Sequence, residues 1–271
     1  MGLSLARILT SCFFAGILLF TSISIKAKTT ANSLEKPLRI AVASNFAPTL
    51  RKLLASGNKH QQDFSAPVLV VASSGTLFLQ AQHGAAFDVF LSADIERPQL
   101  LAEAGLAVDD SQKTYAYGQL ALWSASPKTE LFSENLMTTL NNNQQRLAIA
   151  NPKIAPYGKA AKEALTSLQL WPKYQQHLIQ GINIGQTFQQ VRSQAVKLGV
   201  VSNSQLVLNN FKGVLIPQRL HRPIEQQLVI LKSSKKMAQA KRFVKYLLSA
   251  KSQQFFVESG YAQLGEIGTD E

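Results

Sequence analysis

The sequence predicts an α/β protein of two lobes, each a mostly parallel sheet flanked by helices, the two joined by two crossover strands. Three observations carry that expectation. From residue 38 onward, short apolar runs alternate with helical patterns, the order that favours parallel strands covered on both faces. A longer apolar run at 115–124 can carry the chain out of a first lobe. Two later strand patterns, at 214–216 and 227–231, can lead it back.

In chain order, strands are expected at 38–43, 67–72 and 87–91, each followed by a helix, at 48–54, 76–82 and 98–104, the last ended by Gly105. After the run at 115–124 come a strand at 147–150, helices at 159–168 and 188–196, and a short strand at 199–201. The two returning strands follow, then helices at 237–248 and 252–258. The expected division is a first lobe built from 38–115 and 218–265, with a second lobe, 116–217, between them. Two crossovers make a hinge, and ligands bind in the cleft such lobes enclose.

The N-terminus reads differently. Met1–Arg7 carries one positive charge, 8–25 is apolar apart from small polar residues, and Lys26 ends the run. That order marks 1–27 as a secretory signal, cleaved after Ala27 or Ala31, with the periplasm as destination. A retained anchor is the alternative, since the run is about long enough to span a bilayer. Leu9-Thr10-Ser11-Cys12 imitates a lipoprotein cleavage box, but most of the apolar run follows it. Cys12 is the single cysteine, so the mature chain has no disulfide, thiol nucleophile or thiolate metal site.

The net charge is +12, a balance that often points to nucleic acid or an anionic surface. Here the basic residues are scattered. The nearest cluster, Lys232, Lys235, Lys236, Lys241, Arg242 and Lys245, interleaves with Phe243, Tyr246 and Leu247 and reads as a solvated helix face. No nucleic-acid partner is expected. The charge suits steering of anions.

Four loops between a strand and a helix could carry chemistry. Ala43-Ser44-Asn45-Phe46 and Ser73-Ser74-Gly75-Thr76 place hydroxyls and small residues at helix starts. Each alone reads as an N-cap. Two together form a possible anion cradle, because free N–H groups and the helix dipole face outward there. Asn151 to Gly158 contains Pro152 and Pro156, which stiffen the loop and set Tyr157 at a helix start. Asn183-Ile184-Gly185-Gln186 reads as a cap. Asp88 and Asp94 are expected to be structural, and His60, His83, His177 and His221 lack metal-ligand spacing.

Taken together, these loops resemble the molybdate-binding components of bacterial ABC transporters, a branch of the type II periplasmic binding proteins. The resemblance runs from about Leu38 to Tyr261 and includes Ser44-Asn45-Phe46-Ala47-Pro48, Ser73-Ser74-Gly75, Phe90-Leu91-Ser92-Ala93-Asp94, Leu120-Ala121-Leu122-Trp123-Ser124, Ala155-Pro156-Tyr157-Gly158 and Ser259-Gly260-Tyr261. It implies a monomer that captures molybdate or tungstate without catalysis or cofactor and passes it to an inner-membrane permease. The anion's oxygens, not the metal, would be held. The implied donors are the hydroxyl and N–H of Ser44, the N–H of Asn45, the hydroxyl and N–H of Ser74, and the N–H groups of Tyr157 and Ile184. Some members add a tyrosine hydroxyl where Ser202 stands here. Members with an Asn beside the first hydroxyl do without it.

The four loops contain no Asp or Glu, so nothing is available to accept a proton from a guest such as hydrogen phosphate. A fully deprotonated oxyanion fits: molybdate, tungstate, or alternatively sulfate or thiosulfate. A hydrolase using Ser44 or Ser74 is a competing class, but neither lies in a Gly-x-Ser-x-Gly turn. A basic surface-binding protein is a third.

Overall fold

The computed structural model describes residues 36–56, 64–126, 136–142 and 146–263. The expected signal segment, with Cys12, and His60 lie outside these residues.

The first sheet starts with β1 (Arg39–Ala43), β2 (Val68–Ala72) and β3 (Val89–Leu91), each followed by a helix: α1 (Ala47–Ser56), α2 (Ser74–Gln82) and α3 (Glu96–Glu103). β4 (Lys113–Gly118) completes the outward run. The second sheet contains β5 (Leu120–Trp123), β6 (Leu147–Ala150), β7 (Leu178–Gly181), β8 (Leu198–Ser202) and β9 (Val214–Leu215). Its helices are α4 (Leu136–Asn142), α5 (Pro156–Ser167), α6 (Trp171–Tyr174), α7 (Ile184–Arg192) and α8 (Asn203–Leu208). β10 (Ile224–Ile230) returns to the first sheet, and α9 (Met237–Leu247) and α10 (Ala250–Glu258) follow it.

The described strands form two five-stranded sheets, ordered β2-β1-β3-β10-β4 and β7-β6-β8-β5-β9. The two orders share one plan. β1 runs parallel to β2 and β3, and β6 to β7 and β8. In each sheet the strand that has just crossed from the other one is inserted against the rest: β10 is antiparallel to β3 and β4, and β5 to β8 and β9.

The chain therefore departs from the sequence reading at both crossovers. The apolar run at 115–124 is two strands in two sheets, separated only by Gln119. The 214–216 segment does not lead back. It pairs with β5 through Ala121↔Leu215 and Leu122↔Val214 at the edge of the second sheet. The return strand begins at Ile224, earlier than the apolar run suggested, because Glu225, Gln226 and Gln227 continue the ladder with β4 across a bulge.

Alternation along the strands explains the cores, since successive side chains point to opposite faces. Ile40 and Val42 of β1 pack with Leu50, Phe243 and Phe256, while Ala41 between them joins Leu77 and Leu101 on the other face. In β6, Leu147 and Ile149 face Ala160 and Ala164 of α5, and Ala148 faces Phe188 and Val191 of α7. Both faces are covered, so these strands are apolar throughout, and their carboxyl ends are where loops are free to act.

The expected helix at 188–196 starts four residues early, because Asn183 caps it and accepts from the Gln186 N–H at 2.9 Å. Ile184, Phe188 and Val191 then share the buried face. The basic helix face is solvent-exposed at Lys241 and Lys245, but Lys236 is not part of it. Its ammonium lies 3.1 Å from the Asp88 carboxylate and 2.9 Å from the Pro37 carbonyl.

Asp88 is buried just before β3. Burial alone would raise its pKa, but the Arg39 N–H at 2.7 Å, the Ser234 hydroxyl at 2.7 Å and Lys236 outweigh it and hold the carboxyl below its ordinary value. A depressed pKa contributes stability above the unfolded-state value and loses it as pH falls. Asp88→Asn should cost about 1–3 kcal/mol at pH 7. In urea unfolding, that gap should shrink as the pH is lowered from about 5 towards 3.

Candidate functional site

Four loops at the carboxyl ends of β1, β2, β6 and β7 converge. At the first, the Phe46 N–H donates to the Ala43 carbonyl at 2.9 Å and closes the turn. The Phe46 ring is buried against Tyr115, Phe256 and Tyr261, with centroids 4.7, 5.0 and 5.7 Å away. That anchor fixes Ser44 and Asn45. The Asn45 side-chain amide donates to Gln226 Oε1 at 2.9 Å.

At the second loop, Ser73 caps α2, its hydroxyl oxygen accepting from the Thr76 N–H. Ser74 Oγ accepts from the Ala93 N–H at 2.9 Å. That bond orients the oxygen and leaves the hydroxyl proton to donate elsewhere. At the third loop, Ala155 is extended and Pro156 opens α5, presetting the helical φ of its first turn. Tyr157 is next. At the fourth, Ile184 is the first residue of α7.

Ser44, Asn45, Ser74, Tyr157 and Ile184 line one small cavity of about 10 Å³. Ala43, Ser73, Ala93, Ala155 and Pro156 complete the lining, which includes no Asp, Glu, Lys, Arg or His. All five expected residues are buried. The N–H groups of Asn45, Ser74, Tyr157 and Ile184 have no hydrogen-bond acceptor among the described residues. The Ser44 N–H differs from expectation. It extends the parallel ladder one residue past β1 and donates to the Ala72 carbonyl at 3.0 Å, so only the Ser44 hydroxyl remains for the cavity. Its oxygen accepts from the Gly185 N–H at 3.4 Å.

Two of these contacts join the sheets' loops across the cleft: Gly185 to Ser44, and the Gly75 N–H to the Ile154 carbonyl at 2.9 Å. Lys159 and Glu96 add an exposed ion pair at 3.2 Å. The cavity is thus enclosed from both sides.

Ser202 is buried but does not line the cavity. Its hydroxyl meets that of Ser204 at 2.6 Å. Asp94 is structural, accepting from the Ser92 hydroxyl at 2.8 Å and the Arg97 N–H at 3.2 Å and pairing with the Arg97 guanidinium. The Tyr157 phenol leaves the cavity and accepts from Gln226 Nε2 at 3.3 Å. Burial lifts its pKa far above the ordinary phenol value.

Sequence reasoning missed Gln226. Its only signal was position, at the inward register of Ile224, Gln226, Leu228 and Ile230, where a polar residue is unusual.

A family model described as bacterial extracellular solute-binding protein matches residues 38–262. The chain belongs to that family. Among its relatives, the molybdate-binding protein ModA of Azotobacter vinelandii is 34% identical over 230 residues, covering 83% of this chain and 89% of the relative. The ModA of Rhodobacter capsulatus is 33% identical over 225 residues, covering 82% and 86%. The solved periplasmic molybdate-binding protein of Azotobacter vinelandii superposes with a TM-score of 0.77 at 34% identity, covering 83% of this chain and 98% of that one. A sulfate-binding protein of Mycobacterium tuberculosis shares the fold, with a TM-score of 0.70 at 10% identity.

For a solute-binding protein, approach of the two loops is the step that encloses the guest. Gly75 sits at that approach. A Cβ there would lie 2.8 Å from the Ile154 carbonyl oxygen and 3.0 Å from its Cα, both backbone atoms that yield poorly. Gly75→Ala is therefore expected to break the Gly75–Ile154 hydrogen bond. Amide hydrogen exchange should show faster exchange at residue 75, with α2 otherwise unchanged.

Proposed function

We propose that this protein is the periplasmic binding component of a molybdate ABC transporter, capturing molybdate or tungstate between its two lobes. Export by the segment 1–27, action as a monomer and delivery to an inner-membrane permease belong to the same reading, as does the absence of catalysis. One observation carries it: four partnerless N–H groups and two hydroxyls line a single buried cavity that has no charged side chain. Buried N–H groups require an acceptor. An oxyanion offers acceptors on every side, and the helix starts of α2, α5 and α7 add favourable dipoles.

The lining also selects the protonation state. No carboxylate is present to accept a proton from the guest, so a proton-free anion is favoured over hydrogen phosphate. Six hydrogen bonds to a charged acceptor, each about 1.5–3 kcal/mol, can exceed the desolvation penalty and reach the roughly 8 kcal/mol of micromolar binding. The names borne by the relatives point to molybdate within that class.

Calorimetric titration with molybdate, tungstate, sulfate, thiosulfate and phosphate is the direct test. Molybdate and tungstate should bind at micromolar or lower concentration, and phosphate should not. An absence of heat with both refutes the reading. Ser74→Ala should weaken molybdate binding by about 1.5–3 kcal/mol, because one donor to a charged acceptor is lost. Affinity should stay flat between about pH 7 and 9. No charged or imidazole side chain lines the cavity, and the Tyr157 phenol stays neutral throughout that range.

A further inference from the structure

We propose that Gln226 is a positioning residue: its buried carboxamide, on the returning crossover strand, ties the anion-facing loop of the first sheet to the anion-facing helix start of the second. This rests on the oxyanion reading above. Gln226 is fully buried on β10. Its Oε1 accepts from Asn45 Nδ2 at 2.9 Å and lies 3.1 Å from the Tyr115 hydroxyl. Its Nε2 donates to the Tyr157 phenol at 3.3 Å.

Asn45 and Tyr157 each also supply a partnerless backbone N–H at the cavity. One side chain therefore reaches both lobes at residues that face the guest. The amide does this with an acceptor and a donor on one uncharged planar group. A carboxylate could meet the phenol only as an acceptor and would bury a charge, and an aliphatic side chain has neither group. Its neighbours do not share the role. Glu225 and Gln227 point the other way and bond Thr114 near the surface.

The other crossover is shaped around the same contact. Gly118 ends β4, and a Cβ on it would come 2.2 Å from the Tyr157 hydroxyl oxygen and 2.8 Å from Gln226 Nε2. Both crossovers thus meet at the Tyr157 phenol, far from bulk water. When the lobes separate, Tyr157 leaves with the second sheet and the Gln226 donor loses its partner. The bond is made only on closure, so it favours the closed state and fixes the spacing between the Asn45 and Tyr157 N–H groups.

The test uses the full chain with Gln226→Leu, Gln226→Glu, Tyr157→Phe and the Gln226→Leu/Tyr157→Phe double variant. Each is titrated calorimetrically with molybdate and melted without ligand. Each single variant should raise Kd by about tenfold or more, as expected for breaking a buried hydrogen bond. The double variant should bind no worse than the weaker single one, because both substitutions break one bond. A purely structural role would instead lower the ligand-free Tm of Tyr157→Phe as much as its affinity and give losses that multiply. Wild-type protein binding molybdate alongside variants within twofold of it, or multiplying losses, overturns the role of Gln226 alone. Should Gln226→Leu not fold, Tyr157→Phe decides: unchanged affinity there overturns the inference. Wild-type protein silent to molybdate and tungstate overturns the functional reading, and this inference with it.

Discussion

An N–H group buried without an acceptor is among the costlier defects a folded chain can carry. Here Asn45, Ser74, Tyr157 and Ile184 hold four of them within one small cavity. The rest of the fold makes that concentration possible. Each N–H belongs to a turn or a helix start at the carboxyl end of a strand buried on both faces, and the sheets supply the rigidity that prevents the turns from relaxing into self-satisfied loops. A guest with acceptors on all sides removes the defect. Binding energy and closure are thereby linked, because the donors come from both sheets.

The repeated sheet order gives the geometry its economy. In both sheets the first two parallel strands in chain order, β1 and β2 or β6 and β7, present the loops, and the inserted antiparallel strand arrives from the other lobe. The crossovers therefore join the last two strands of each sheet, β10 and β4 in the first and β5 and β9 in the second. A residue such as Gln226 can sit in a core position and still touch loops of both sheets that line the cavity. The buried phenols of Tyr115, Tyr157 and Tyr261 form the polar lining of that hinge. Burial raises all three pKa values, Tyr261 to about 12, so the hinge keeps a single protonation state through neutral pH.

Uncharged donors also explain how such a site can release its guest. No salt bridge to the anion has to break, and the contacts between the lobes are mostly single hydrogen bonds, such as Gly75 to Ile154, Gly185 to Ser44 and Lys52 to the Leu208 carbonyl, with an exposed Lys159–Glu96 pair. An exposed pair of that kind contributes little. Exposed basic residues such as Lys241 and Lys245 can draw anions in without holding them.

Much of this was legible in the amino-acid order. Apolar runs such as Ile40–Ala41–Val42 declared strands covered on two faces, and Ser44, Ser74, Tyr157 and Ile184 stood at helix starts that share one chemistry. What local patterns do not encode is which group spends its hydrogen bond where. The Ser44 N–H looked available, but the parallel partner β2 takes it. The run at 115–124 looked continuous, but its two halves pair with different sheets. Gln226 was not singled out, because its partners, Asn45, Tyr115 and Tyr157, meet it only once the two crossovers pack together. The sequence by itself determined the alternation of elements and the neutral, carboxylate-free character of the loops, since both follow from residue type and short-range spacing. The tertiary structure decided the convergence of the loops, the closure of the cleft and the role of the hinge amide, since these depend on hydrogen bonds between residues as many as 181 positions apart.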